Sequence, residues 1–188
     1  MTTTRDWSHN RDTWIQVLKK QTGKDLAYWN ARIKKKKFAD AQHLKEWLAE
    51  QAVTGYAEQP LVMEHFGYPD FFSSSADELI DGQYADRQHL RPIYEAIVAA
   101  AQTFGELVIQ ARKGYVSLLT PKRTFARVRA TTRDRVDLAL RLEGLQPRGR
   151  LEASHIHETM PVQVSLTDLK DLDPQVLKWL RKAYEENR

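Results

Sequence analysis

Arginines, two aromatic rings and two close histidines are the residues in this chain whose types and spacing suggest chemistry. Between residues 112 and 150, eleven Lys and Arg face three acids, Asp134, Asp137 and Glu143, a local excess of +8 in a chain whose net charge is only +4. In the runs around residues 115–119, 123–130 and 135–142 the apolar residues alternate, the pattern of strands with one buried face. Counting by two, Val116, Leu118, Ala126, Val128, Val136, Leu138 and Leu140 share one side, and Tyr115, Phe125, Arg127, Arg129, Arg135, Asp137 and Arg141 share the other. Guanidinium groups grip phosphate oxygens in pairs, and flat rings stack bases. Tyr115, Phe125, Arg127, Arg129 and Arg141 are therefore the candidate binding set, for nucleic acid, a nucleotide or another phosphate-bearing ligand.

Other constellations are weaker. His155 and His157 would project from one side of a strand spanning residues 153–158, with Glu152 or Glu158 nearby. Two imidazoles lack the further ligands that fix a metal's geometry, so no metal and no cofactor are expected. The four lysines Lys34, Lys35, Lys36 and Lys37 close an expected helix, where positive charge suits the exposed carbonyls of the last turn. There is no glycine-rich phosphate loop ending in Lys-Ser/Thr, no G-x-S-x-G elbow and no H-E-x-x-H pair. Acids near Asp168 and Asp171 precede a helix, where they stabilise its start.

These residues need elements to hold them. With 188 residues and 41% apolar content the chain is long enough to bury a core, and its lack of cysteine excludes disulfides and thiolate chemistry. No run approaches the roughly 20 apolar residues of a membrane span, and no leader opens the chain, so a cytoplasmic protein with no membrane role is expected. Helical periods mark the first part: Trp14, Val17 and Leu18; Leu26, Trp29 and Ile33; Leu44, Trp47 and Leu48; then residues 55–66, where Pro60 fits only a first turn or a kink. Gly67-Tyr-Pro-Asp-Phe-Phe-Ser-Ser-Ser-Ala reads as a linker. A long apolar stripe from Leu90 to Phe104 then predicts a helix ending at Gly105. Four strand-like runs follow over residues 106–111, 115–120, 123–130 and 135–142, then two shorter ones over 153–158 and 162–166. Asp173-Pro174 opens a last helix.

The expected fold is α+β: a small helical bundle in residues 1–66, a linker in 67–76, and in 77–188 an antiparallel sheet with its first and last helices packed on one face. The rest of residues 77–188 carries −6, so acidic flanks could equally neutralise the basic strands internally.

Five segments carry resemblances to two families. The segments Arg112-Lys-Gly-Tyr-Val-Ser-Leu-Leu-Thr-Pro-Lys-Arg-Thr-Phe-Ala-Arg-Val, Thr132-Arg-Asp-Arg-Val-Asp-Leu-Ala-Leu-Arg-Leu and Val176-Leu-Lys-Trp-Leu-Arg-Lys-Ala-Tyr-Glu resemble the bacterial unknown-function family 5655, over most of residues 77–188. Thr22-Gly-Lys-Asp-Leu-Ala-Tyr-Trp and His43-Leu-Lys-Glu-Trp-Leu are similar to the short helical unknown-function family 4287. The resemblance implies two domains and no mechanism. Three function classes follow: a non-enzymatic module binding an anion on the sheet, a protein-interaction or structural module without a ligand, and an enzyme using His155 or His157.

Overall fold

The computed structural model describes all 188 residues, which divide into two compact units: residues 6–74, and residues 1–5 together with 75–188. No helix is long and apolar enough to cross a membrane.

The first unit is helical. Its helices are α1 (Ser8–Thr22), α2 (Leu26–Lys36), α3 (Ala41–Glu50) and α4 (Gln59–Phe66). Each boundary has a local cause. Gly23 ends α1 in the left-handed region at φ 69°, with its N–H donating to the Lys19 carbonyl. Asp25 caps α2 by accepting from the Tyr28 N–H at 2.8 Å, and Asp40 caps α3 by accepting from the His43 N–H at 2.9 Å. Pro60 lies in the first turn of α4, where a missing N–H costs nothing, and a short 3-10 turn over Gly55–Ala57 replaces the earlier part of the expected helix. Leu18, Trp29, Ile33, Leu44, Trp47, Leu48 and Leu61 form the core.

The second unit is α+β. Its seven-stranded sheet has the order β1-β2-β3-β4-β5-β7-β6. The strands are β1 (Thr2–Arg5), β2 (Leu107–Ala111), β3 (Val116–Leu119), β4 (Thr124–Ala130), β5 (Val136–Leu140), β6 (Glu152–Ala153) and β7 (Val162–Leu166). All neighbours are antiparallel except β1 and β2. Three helices complete it: α5 (Ala76–Tyr84), α6 (Arg91–Gln102) and α7 (Pro174–Asn187). The seven apolar residues of the alternating set, from Val116 to Leu140, are all fully buried. Burying a side chain of this size stabilises by about 1.5–3 kcal/mol, so the alternation fixes which side of the sheet is the core.

Three elements differ from the sequence reading. Thr2–Arg5, read as the start of the bundle, pairs instead with β2 as an edge strand of the sheet. Residues 76–84 form α5, opened by a capping box in which the Glu78 N–H donates to Ser75 Oγ at 3.2 Å and the Ser75 N–H to Glu78 Oε2 at 2.7 Å. The strand expected over residues 153–158 stops at Ala153, so His155 and His157 lie in the β6–β7 loop.

α7 is capped at its start and fastened to the sheet toward its end. Asp173 caps its start by accepting from the Val176 N–H at 2.9 Å. At its far end, buried Asn187 donates from Nδ2 to the Arg141 carbonyl at 2.9 Å, and its own carbonyl accepts from Thr120 Oγ1 at 2.6 Å. Between them, Tyr184 Oη donates to the Glu106 carbonyl at 3.1 Å, directly over Gly105. Gly105 has φ 144°, and a Cβ there would stand 2.6 Å from Tyr184 Oη. Gly105→Ala should therefore lower the stability of this unit in urea denaturation by about 2–3 kcal/mol, and Tyr184→Phe by about 1 kcal/mol. The double variant should cost less than the sum because the phenylalanine vacates the space. Strict additivity would contradict this contact.

Candidate functional site

The pairing register builds the second face of the sheet row by row. Ser117, Arg127, Ala139, Gln163 and Glu152 are consecutive partners across β3, β4, β5, β7 and β6. Arg129, Asp137 and Ser165 form the next row. Partners on neighbouring strands share a face, so Arg127 and Arg129 stand beside Asp137 and Ala139 as the alternation requires. Arg141 follows β5 directly, its N–H donating to the Phe125 carbonyl at 2.8 Å.

Tyr115 and Arg127 meet. The Arg127 guanidinium lies 4.9 Å from the centre of the Tyr115 ring, a cation–π contact worth about 0.5–1 kcal/mol at a partly exposed site. Arg129 is exposed and Arg141 half-buried, and neither is in an ion pair.

Phe125 is a correction. It is 0% exposed and its ring packs edge-on to Tyr184 of α7, with centroids 5.3 Å apart. The cause is a bulge: Leu118 faces Ala126, but Leu119 faces Thr124, so β4 carries one residue more than β3 at that point. Phe125 and Ala126 are both buried as a result, and parity fails there. Phe125 belongs to the core.

Asp137 is 2% exposed and fully engaged. Ser165 Oγ donates to its Oδ1 at 2.8 Å and Arg135 Nη2 to its Oδ2 at 3.3 Å, with Arg135 Nε 3.0 Å from Oδ1 but out of line for a hydrogen bond. Internal neutralisation by Asp137 thus falls on Arg135.

The β6–β7 loop also belongs here. The His155 N–H donates to Gln163 Oε1 at 3.2 Å, which ties the loop to the row containing Arg127 and Ala139. The Thr159 N–H donates to His157 Nδ1 at 3.2 Å, and Thr159 Oγ1 is 2.9 Å from the same nitrogen. Partial burial holds the His157 imidazole below its ordinary value, and the charges of Arg127 and Arg141 push the same way, against Glu158. His157 thus stands within the field of two candidate arginines. Sequence spacing could not show this, because a strand assignment put both histidines at the sheet edge. No cluster of three or more His, Asp or Glu side chains suited to a metal is present.

On the helix side, Arg91 pairs with Asp81 and Glu95 and lies 5.9 Å from the ring centres of both Tyr84 and Tyr94. Burial pushes the Tyr94 phenol up to about 12 and raises Tyr84 as well, so both stay protonated near neutrality. In the helical unit, Lys34, Lys35 and Lys36 form the last turn of α2, and Lys36 Nζ lies 5.5 Å from the Trp47 ring centre.

Asp137→Ala should leave Ser165 and Arg135 without their acceptor and lower stability by about 1–3 kcal/mol in urea denaturation, discounted because Arg135 is partly exposed. A change under a few tenths of a kcal/mol would show that the pair does not matter to the face.

No curated protein and no solved structure matches this chain. Residues 80–187, more than half of the chain, match the family described as Domain of unknown function (DUF5655). That span begins in α5 and runs to the end of α7, taking in the whole arginine-bearing face, and the chain belongs to the DUF5655 family.

Proposed function

We propose that the C-terminal unit is a non-enzymatic binding module whose arginine face takes an anionic ligand, and that single-stranded nucleic acid is the class that fits it. The observation that carries this reading is the Arg127 guanidinium 4.9 Å over the Tyr115 ring, with Arg129 on the same face of β4, Arg141 directly after β5, and neither of those two in an ion pair. Phosphate oxygens accept paired hydrogen bonds from guanidinium forks, and a base can stack on Tyr115 or on a flat guanidinium for about 1–3 kcal/mol. With Phe125 in the core, Tyr115 is the ring of the binding set that remains for stacking, which suits one or two bases rather than a long platform.

Electrostatics favours the same reading. Asp137 is matched by Arg135, and Arg129 and Arg141 are in no ion pair, so those two guanidinium groups can meet an incoming anion. Arg129→Ala combined with Arg141→Ala removes two charges without orphaning a carboxylate, so folding should be unaffected.

Fluorescence anisotropy with a short labelled single strand tests the proposal. Affinity should fall steeply with salt, and the double variant should bind at least about tenfold more weakly, with its salt slope reduced by about 0.7 for each lost phosphate contact. Binding that ignores ionic strength, or that survives the double variant unchanged, would overturn it.

A further inference from the structure

We propose that the helical unit carries a binding surface of its own: a row of uncompensated cations along α2, Lys24, Arg32 and Lys36, that takes the phosphate backbone of a nucleic-acid duplex. This surface belongs to the other unit from the sheet and does not rest on the reading above.

The row alternates charges with rings. Residues 28, 32 and 36 are four apart, so their side chains follow one line of α2, and Lys24 precedes its first turn. Lys24 Nζ lies 5.3 Å from the centre of the Tyr28 ring, and the Arg32 guanidinium carbon lies 5.9 Å from the same centre. That carbon is also 5.1 Å from the Trp47 ring of α3, over which Lys36 Nζ sits at 5.5 Å. Trp29 supports Arg32 as well, at 5.1 Å, and Arg32 Nη2 donates to Gln51 Oε1 at 3.0 Å. None of the three cations is in an ion pair. A carboxylate would hold a cation and cancel its charge, whereas a ring holds it and leaves the charge standing.

The surrounding chain is polarised in the same sense. Residues 24–45 hold seven Lys and Arg against two acids, while the rest of residues 6–74 holds three against seven. Both of those acids, Asp25 and Asp40, cap helices by accepting backbone N–H groups. Lys37 ends α2 in the left-handed region at φ 51°, where glycine would be less strained, so a charge stands there at a conformational cost.

The partner follows from what the row lacks. Trp29 and Trp47 are only 4% and 7% exposed and Ile33 lies in the core, so α2 has no apolar face to sink into a lipid layer. The exposed Tyr28 ring already carries two cations, which leaves phosphates rather than bases as the groups to be met. Cations fixed along one helix match the regular phosphates of a duplex, which presents about one negative charge per 1.7 Å of its axis.

The test titrates the full chain into a short labelled duplex and follows anisotropy across salt. Lys24→Gln, Lys36→Gln and Lys37→Gln together remove three exposed charges outside the core, and circular dichroism checks the fold. This triple variant should bind at least about tenfold more weakly, with the salt slope reduced by about 0.9 for each lost phosphate contact. Arginine at the same three positions should keep wild-type binding. Should the triple variant lose its fold, Lys36→Gln alone carries the test, with a slope change of about 0.9. Wild type that fails to bind the duplex, or binds phosphatidylserine vesicles in its place, would overturn the proposal. So would glutamine variants that keep affinity and slope, arginine variants as weak as the glutamine ones, or a loss seen with a single strand but not with the duplex.

Discussion

One irregular step in the pairing of β3 with β4 decides what each side of the sheet carries. Because Leu118 faces Ala126 and Leu119 faces Thr124, β4 has a residue to spare, and Phe125 and Ala126 both turn toward the helices. Phe125 then fills the space beneath α7, where its ring meets Tyr184 edge-on, a geometry worth about 0.5–1.5 kcal/mol beyond burial alone. Without the bulge its ring would stand among the arginines. With it, the face keeps its cations, and Tyr115 is the ring that supports one of them.

α7 is the strut for that arrangement. Tyr184 supports Phe125, and Asn187 holds the Arg141 carbonyl, while the Arg141 N–H bonds the Phe125 carbonyl. The backbone of a candidate binding residue is thus fixed on one side by a helix side chain and on the other by the neighbouring strand. Gly105 matters for the same reason, since only a residue without a Cβ lets Tyr184 reach the Glu106 carbonyl. Core packing and the arrangement of the arginine face are two consequences of one set of contacts.

Much of this was legible in the residues. Alternation from Val116 to Leu140 marked the buried side correctly, because a period of two has no other economical reading when one face is greasy. The start of the last helix at Asp173 followed from local capping chemistry. Phe125 was not legible, since a bulge is a property of two strands and leaves no mark on either one. β1 was hidden too: four polar or charged residues form an edge strand only because β2 offers them a partner. α5 could have been found from Ser75 and Glu78, whose spacing is a helix-start signal, had the serine run not suggested a linker. His157 stood out in the sequence only as one of two close histidines. Its neighbours come from β4 and β5, and only the fold of the loop brings them together.

The account stands or falls on whether the guanidinium groups of β4 and β5 meet an anion. Arginine side-chain Nε–Hε resonances, followed by NMR as a short single strand is added, report this residue by residue. Arg127, Arg129 and Arg141 should shift together and saturate at one strand concentration, while Arg91 on the helix side stays still. Shifts spread evenly over all arginines, or confined to those outside the sheet, would contradict it.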